Sequence, residues 1–380
     1  MAAPVRSDGP VPPFDNSSMD GYALRASDVT SAPERLRVVG TLMAGDDPGP
    51  LTVGEGEAVR IMTGAAIPLG ADAVCMVEHT HAEDAWVVVK EAVRAGTNVR
   101  IAGEDIASGA EVFTAGVRLQ PAHIGVLASM GVEEVVVYPR PRVGVISTGD
   151  ELVNRPGPLP PGKIRDSNRP SLLARLREDG FTPLDLGLAS DEPAALARIL
   201  RKSMTSCDAV LTSGGVSVGD RDFVKMVLEE LGGQHARWLQ VAVRPGKPFA
   251  FSVLPPRGAP VFGLPGNPVS ANVSYELFAR PALRLMAGHT DLDRPRLRAT
   301  AQVDLRRQPD GRLHLVRVRA STSADGLLLV RPSGGQGSHQ LRAFADANAL
   351  AFVPDGEGAA AGDPVEIMVL DPDGLGAARE

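Results

Sequence analysis

The sequence predicts a multidomain α/β plus β protein: a central α/β domain built on a mostly parallel sheet, flanked by a β-rich module and a C-terminal small β-barrel domain. Three observations predict it. A chain of 380 residues exceeds one ordinary core, since a domain runs to roughly 150 residues. From Arg142 onward, apolar strand-like runs alternate with helical stretches, the pattern of βα units whose helices cover both faces of a parallel sheet. On either side lie short β-like runs punctuated by turn residues, consistent with 41 glycines and 32 prolines, well above average usage.

Taken in order, residues 1–12 hold turn signals and no hydrophobic period, so a flexible tail is expected there. Residues 13–108 carry LRVVG, EAVRIM, DAVCMVE and WVVVKE and form the β-rich module. Residues 109–140 are expected to be a connecting and dimerisation element: QPAHIGVLASMG starts a helix at Pro121 and ends it at Gly131, and EEVVVYP returns as a strand. The α/β domain spans 141–290, beginning with RVGVISTGDE and the helical PSLLARLREDG. TPLDLGLA, CDAVLTSGG and VFGLPGN each lead into a further helix, and RWLQVAVRPGKPFAFSVL reads as a strand pair bent at Pro245 and Gly246. Runs such as LRATAQVDL, LHLVRVRAS and PVEIMVL then make the C-terminal domain, 291–372.

Composition excludes several functions. A formal net charge of −7 gives no electrostatic reason to bind nucleic acid. Neither a secretory leader nor a run of about 18 apolar residues occurs, so no membrane partner and a cytoplasmic location are expected. Cys75 and Cys207 sit in separate apolar runs and read as buried reduced thiols. The pair His79 and His81 lies in polar HTHAED without further ligands and reads as solvated surface. No nucleophile triad is legible.

In a parallel sheet, ligands gather at the carboxyl ends of the strands, so the loops there are the candidates for chemistry. The first, Ser213-Gly214-Gly215 through Ser217 to Asp222, offers glycines that let backbone approach an anion; Asp222 reads either as a helix cap or as a functional carboxylate. The second, Ser147-Thr148-Gly149-Asp150-Glu151, sets two carboxylates beside a glycine, a donor type suited to Mg²⁺ or to a solvated turn. The third is GLPGNPVS, in which Asn267 looks like an N-cap and Pro268 the first helical residue, leaving the N–H groups of Val269 and Ser270 for an anion. The turn RPGKP adds Arg244 and Lys247, and a lysine there stands out in a chain with five lysines against 34 arginines.

Together, PFDNSSMDGYA, VRIMTGAAIP, GEDI, STGDE, TSGGVSVGDRD, RPGKPFAF and GLPGNPVSAN resemble the molybdopterin molybdotransferase family, MoeA and the gephyrin E domain, from about residue 13 to 370. The resemblance implies that 141–290 is a molybdopterin-binding domain and that the protein exchanges the adenylyl group of adenylated molybdopterin for molybdate, releasing AMP. It implies a homodimer whose clefts are shared between subunits. Asp20, Thr63 and Asp105 would face the partner's cleft, with Glu151, Asp191 and Asp222 catalytic in the α/β domain, and Glu151 and Asp222 holding Mg²⁺. Ser147, Thr148, Gly149, Ser213, Gly214, Gly215 and Ser217 would bind substrate, and Arg244, Lys247, Pro265, Asn267, Pro268 and Ser270 would frame molybdate. The preceding adenylyltransferase is a possible partner protein. Such residue types suit the chemistry, because two dianions about 6 Å apart at an effective dielectric near 20 repel by roughly 11 kcal/mol and need compensating charge.

Two departures stand out. The family ordinarily has a helical segment before PFDNS that aids dimerisation, and a lysine where Gln240 stands. Rival readings are a molybdopterin adenylyltransferase, against which the flanking β modules argue, and a gephyrin-type scaffold, for which no extra linker speaks.

Overall fold

The computed structural model describes residues 1–215 and 223–376. The chain divides into two compact units, Met1–Val137 and Tyr138–Glu380. In the first, a six-stranded sheet runs in the order Ala73–Met76, Gly21–Leu24, Glu57–Ile61, Glu34–Leu42, Trp86–Val89, Thr80–Glu83. Its residues alternate sides as a pleated strand requires: Tyr22, Leu24 and Ala58 join one core, Ala23, Val59 and Ile61 another. His79 meets Glu91 at 3.2 Å. Among the described residues no group of three or more His, Cys, Asp or Glu is placed to hold a metal.

Two expectations fail here. The N-terminal stretch is packed: Val5–Arg6 pairs antiparallel with Glu111–Phe113, and the Met1 ammonium donates to the Val117 carbonyl at 2.8 Å. The pairing partner lies over a hundred residues away, so no local pattern signals it. EEVVVYP forms no strand after the Pro121–Ser129 helix. Val136 and Val137 stay exposed, because an extended apolar run becomes a strand only beside a partner ladder.

The second unit opens with the α/β domain. Its sheet order is Thr182–Ala189, Arg142–Thr148, Ala209–Ser213, Ala259–Leu264, Pro248–Leu254, Arg237–Gln240. The first four strands are parallel, and Pro248–Leu254 runs antiparallel to both of its neighbours, Ala259–Leu264 and Arg237–Gln240. Helices Pro193–Ser203 and Phe223–Gly232 bury Leu196, Leu200, Val224 and Leu228 on one face. Helix Asn168–Glu178 and the stretch from Pro268 to Met286 bury Leu172, Leu176, Tyr275 and Leu283 on the other. Tyr275–Ala279 widens into a π-type turn where Pro281 removes a backbone donor. Both cysteines are buried, and burial pushes the Cys75 thiol up to about 11, so it stays protonated at neutral pH.

The C-terminal domain is a closed five-stranded barrel. Leu313–Thr322 pairs with Leu328–Pro332 and with Ala349–Val353, and Arg296–Ala301 and Pro364–Val369 complete the ring. The short strand Val243–Arg244 pairs with Leu313–His314, tying the RPGKP turn to the barrel edge. Val269 and Val273 pack with Leu315, Phe344 and Leu350 to seat the Pro268 helix against the same barrel. Among the described residues no helix is long and apolar enough to cross a membrane.

Candidate functional site

At the carboxyl ends of the parallel strands lies a cavity of about 890 Å³ within the second unit. Its floor is made by loops whose backbone shape depends on glycine. Gly149 has φ +146°, and a β-carbon there would meet the Glu151 carboxylate at 2.6 Å. Gly214 has φ +92°, and its β-carbon would lie 2.3 Å from the Thr148 carbonyl oxygen. The strand-end loops therefore touch along their backbones, an approach that any side chain would prevent.

The acidic part of the lining comes from Glu151, Asp191 and Asp166. The Asp150 N–H donates to the Asp191 carboxylate at 3.3 Å and the Asp191 N–H to Asp150 Oδ1 at 3.1 Å, which locks two strand-end loops to each other. Asp166 is buried, accepting from Ser147 Oγ at 3.0 Å and from Arg169 Nε at 2.9 Å. Burial opposes the charge of Arg169, but Asp185 and Asp166 more than offset it and raise its pKa. Asn168 spans two loops, its amide donating to Ser213 Oγ and to the Gly266 carbonyl, each at 2.7 Å.

The cationic part comes from Arg244 and Lys247 of the RPGKP turn and from Arg312 of the barrel, with Arg165 beside Asp166 as a further cation of the lining. The barrel loop Gln336–His339 completes the lining, and its Ser338 carbonyl accepts the Val269 N–H at 3.1 Å. That donor is thus already engaged rather than free for an anion. Asn267 holds the N-cap position with Pro268 following, but its side chain makes no capping bond.

Of the sequence-predicted residues, the cavity gathers Thr148, Gly149, Glu151, Asp191, Ser213, Gly214, Gly215, Arg244, Lys247, Pro265, Asn267, Pro268 and Ser270. Ser147 is buried behind it, bonded to Asp166. Ser217 and Asp222 lie outside the described residues. Gln240 is exposed at the end of an edge strand, paired with Pro248, and is not part of the lining. Sequence reasoning missed Asp166 and Asn168, although KIRDSN before a helix was a legible cap-like signal, and it missed Arg312 and Ser338. Only tertiary packing brings the barrel loops to the sheet edge.

In the first unit, Asp20 and Thr63 form one group. Thr63 donates both its N–H, at 2.7 Å, and its hydroxyl, at 2.8 Å, to Asp20 Oδ1. These bonds, first the backbone one, hold the Asp20 carboxyl below its ordinary value, with Arg60 assisting. Asp105 is exposed, its N–H donating to the Val11 carbonyl at 3.1 Å.

Comparison with known proteins matches three stretches of the chain. Residues 1–131 match the MoeA N-terminal region (domain I and II), 144–285 a probable molybdopterin binding domain, and 298–370 the MoeA C-terminal region (domain IV). The chain is 40% identical to a molybdopterin molybdenumtransferase of Haemophilus influenzae, covering 94% of this chain and 87% of that one. It is 38% identical to one of Nostoc sp., covering 94% and 83%. Among solved structures, a molybdopterin biosynthesis MoeA protein from Pyrococcus horikosii superposes with a TM-score of 0.80 at 31% identity, covering 97% of this chain and 91% of that one.

Proposed function

The chain belongs to the MoeA family of molybdopterin molybdenumtransferases, and from that premise we propose that its cavity inserts molybdate into adenylated molybdopterin, with AMP as the leaving product. The observation that carries this reading is the division of charge within one cavity. Carboxylates Glu151 and Asp191 come from the strand-end loops, and cations Arg244, Lys247 and Arg312 from the RPGKP turn and the barrel, with Arg165 next to Asp166 as a further cation of the lining outside that group. Both substrates are anions, and a site that brings them together must compensate each separately.

In this reading Arg244, Lys247 and Arg312 bind molybdate, with Ser270 and Ser338 as hydroxyl partners. The glycine loops at Gly149 and Gly214–Gly215 bring backbone close to the substrate phosphates. Mg²⁺ suits the acidic loops: it is a hard ion that keeps several waters and takes one or two carboxylates, and Glu151 and Asp191 supply such a pair, with Asp222 a further candidate from sequence. When bound there it would neutralise pyrophosphate charge. Asp20 with Thr63, and Asp105, complete the site from the first unit of a second subunit in a homodimer. The pre-bonded Asp20 carboxylate stays ionised at working pH and is held in one orientation by Thr63. The setting is cytoplasmic, and a molybdopterin adenylyltransferase supplies the adenylated substrate.

AMP release by the purified protein tests this. It is expected only when adenylated molybdopterin, molybdate and Mg²⁺ are all present. Release that ignores molybdate would reduce the activity to hydrolysis and remove the insertion step. A mixture of Asp20→Ala and Glu151→Ala chains, each inactive alone, is expected to regain part of the activity. No recovery would remove the shared cleft.

A further inference from the structure

One carboxylate of the barrel does something that the cavity needs and the function above does not assign. Asp310 sits in the loop before strand Leu313–Thr322, two residues ahead of Arg312, and its side chain is 19% exposed. Four basic groups converge on it. Oδ2 accepts from Arg244 Nη1 at 3.3 Å and from Arg312 Nη2 at 2.7 Å, the two guanidinium groups that line the cavity. Oδ1 accepts from Arg307 Nη2 at 2.7 Å, and His314 Nε2 lies 3.2 Å from both oxygens.

The loop itself is pinned. Asp355 accepts the N–H groups of Asp310 and Gly311, each at 3.0 Å, and also binds Arg307, whose side chain is 3% exposed. The Asp310 carboxylate is therefore held in place from behind. Burial works against its ionisation, yet the bonds and charges of His314, with those of Arg312 and Arg244, hold it down at about 2, so it is charged wherever the enzyme works.

Arg244 and Arg312 are otherwise ill placed to bind a small anion. Their side chains are 59% and 31% exposed, and a long mobile cation must lose rotamer freedom on binding. They also reach the cavity from different domains, one from the turn after Val243 and one from the barrel. A shared carboxylate removes both problems by tethering the two guanidinium groups to one oxygen and fixing their spacing before any ligand arrives.

We propose that Asp310 is the positioning residue for the oxyanion side of the cavity, anchoring Arg244 and Arg312 at the spacing with which they grip a tetrahedral dianion. The inference rests on the reading that this cavity takes molybdate. Asp355 and Arg307 act one step further back, holding the loop that carries Asp310.

Calorimetric titration of the full-length protein with molybdate alone, without molybdopterin, separates these. Wild type is expected to bind, and Asp310→Asn to bind roughly tenfold more weakly, because two side chains must now be ordered by the ligand. Its turnover at saturating molybdate should stay within about twofold of wild type, a split between half-saturation and kcat that a folding defect does not produce. Asp355→Asn, which loosens the loop behind Asp310, should lower the thermal midpoint and weaken molybdate binding by less than Asp310→Asn does. Asp310→Glu, which keeps the charge on a longer arm, should fall between wild type and Asn, and it carries the test if Asp310→Asn does not fold. Equal or tighter binding by Asp310→Asn, or by Asp310→Glu in that event, overturns the inference. A wild type that binds no molybdate brings down the functional reading itself, and the inference with it.

Discussion

The acidic and the cationic parts of the cavity are built differently. Glu151 and Asp191 sit on loops that directly continue parallel strands, and the reciprocal N–H to carboxylate bonds between Asp150 and Asp191 fix them locally. Arg244 and Arg312 come from two domains and are fixed by a third residue, Asp310. Loops that directly continue strands take their position from the sheet scaffold, whereas long cations at a domain junction need a partner to hold them. Under the proposed function the contrast divides the tasks: the acidic loops would serve the chemical step and the cationic group the capture of a mobile anion.

The largest effect that would break this contrast is on the acidic side. Glu151→Ala is expected to lower kcat by at least about a hundredfold at any molybdate concentration, the scale of losing one electrostatic partner of a transition state. A kcat within a few-fold of wild type would remove Glu151 from the chemistry. Next comes the glycine floor. Gly214→Ala puts a β-carbon against the Thr148 carbonyl at a backbone angle that alanine resists, and a loss of about 2–4 kcal/mol in denaturant unfolding is expected. An unchanged midpoint would mean that these loops part easily, and that the acidic side is no more rigid than the cationic one.

Smaller effects sharpen the picture. The carboxyl of Asp310 is depressed below its unfolded value, so its contribution to stability is complete above about pH 4 and is lost as pH falls through about 2. Wild type should show that acid loss, and Asp310→Asn should show a flatter dependence over the same window. Equal slopes would mean that the carboxylate is not held by its cations in solution. The smallest effect concerns Gln240, which lies outside the cavity lining. Gln240→Lys is expected to leave half-saturation by molybdate unchanged. A tenfold improvement would put this side chain within reach of the anion.

How far the sequence spoke depends on the same contrast. STGDE, TSGG and GLPGN were legible because strand, glycine and helix start are consecutive in the chain, so local rules place their side chains at one edge. The alternating strands and helices gave the parallel sheet, and short punctuated strands the flanking β domains. Arg312 and Ser338 were not legible, since their place in the cavity follows from closure of the barrel and from the pairing of Val243–Arg244 with Leu313–His314. The N-terminal pairing of Val5–Arg6 was hidden for the same reason. Asp166 and Asn168 were visible as a KIRDSN pattern, but nothing local distinguishes a helix cap from a clamp between two ligand loops.

The assignment of tasks is tested most directly by molybdate rescue. AMP release by Lys247→Ala and by Glu151→Ala should be followed as molybdate is raised a hundredfold above the wild-type half-saturation. If the cationic group captures the anion and the acidic loops serve the chemistry, Lys247→Ala recovers most of the wild-type rate and Glu151→Ala recovers none. Rescue of Glu151→Ala, or a Lys247→Ala rate that stays low at every molybdate concentration, would contradict the assignment.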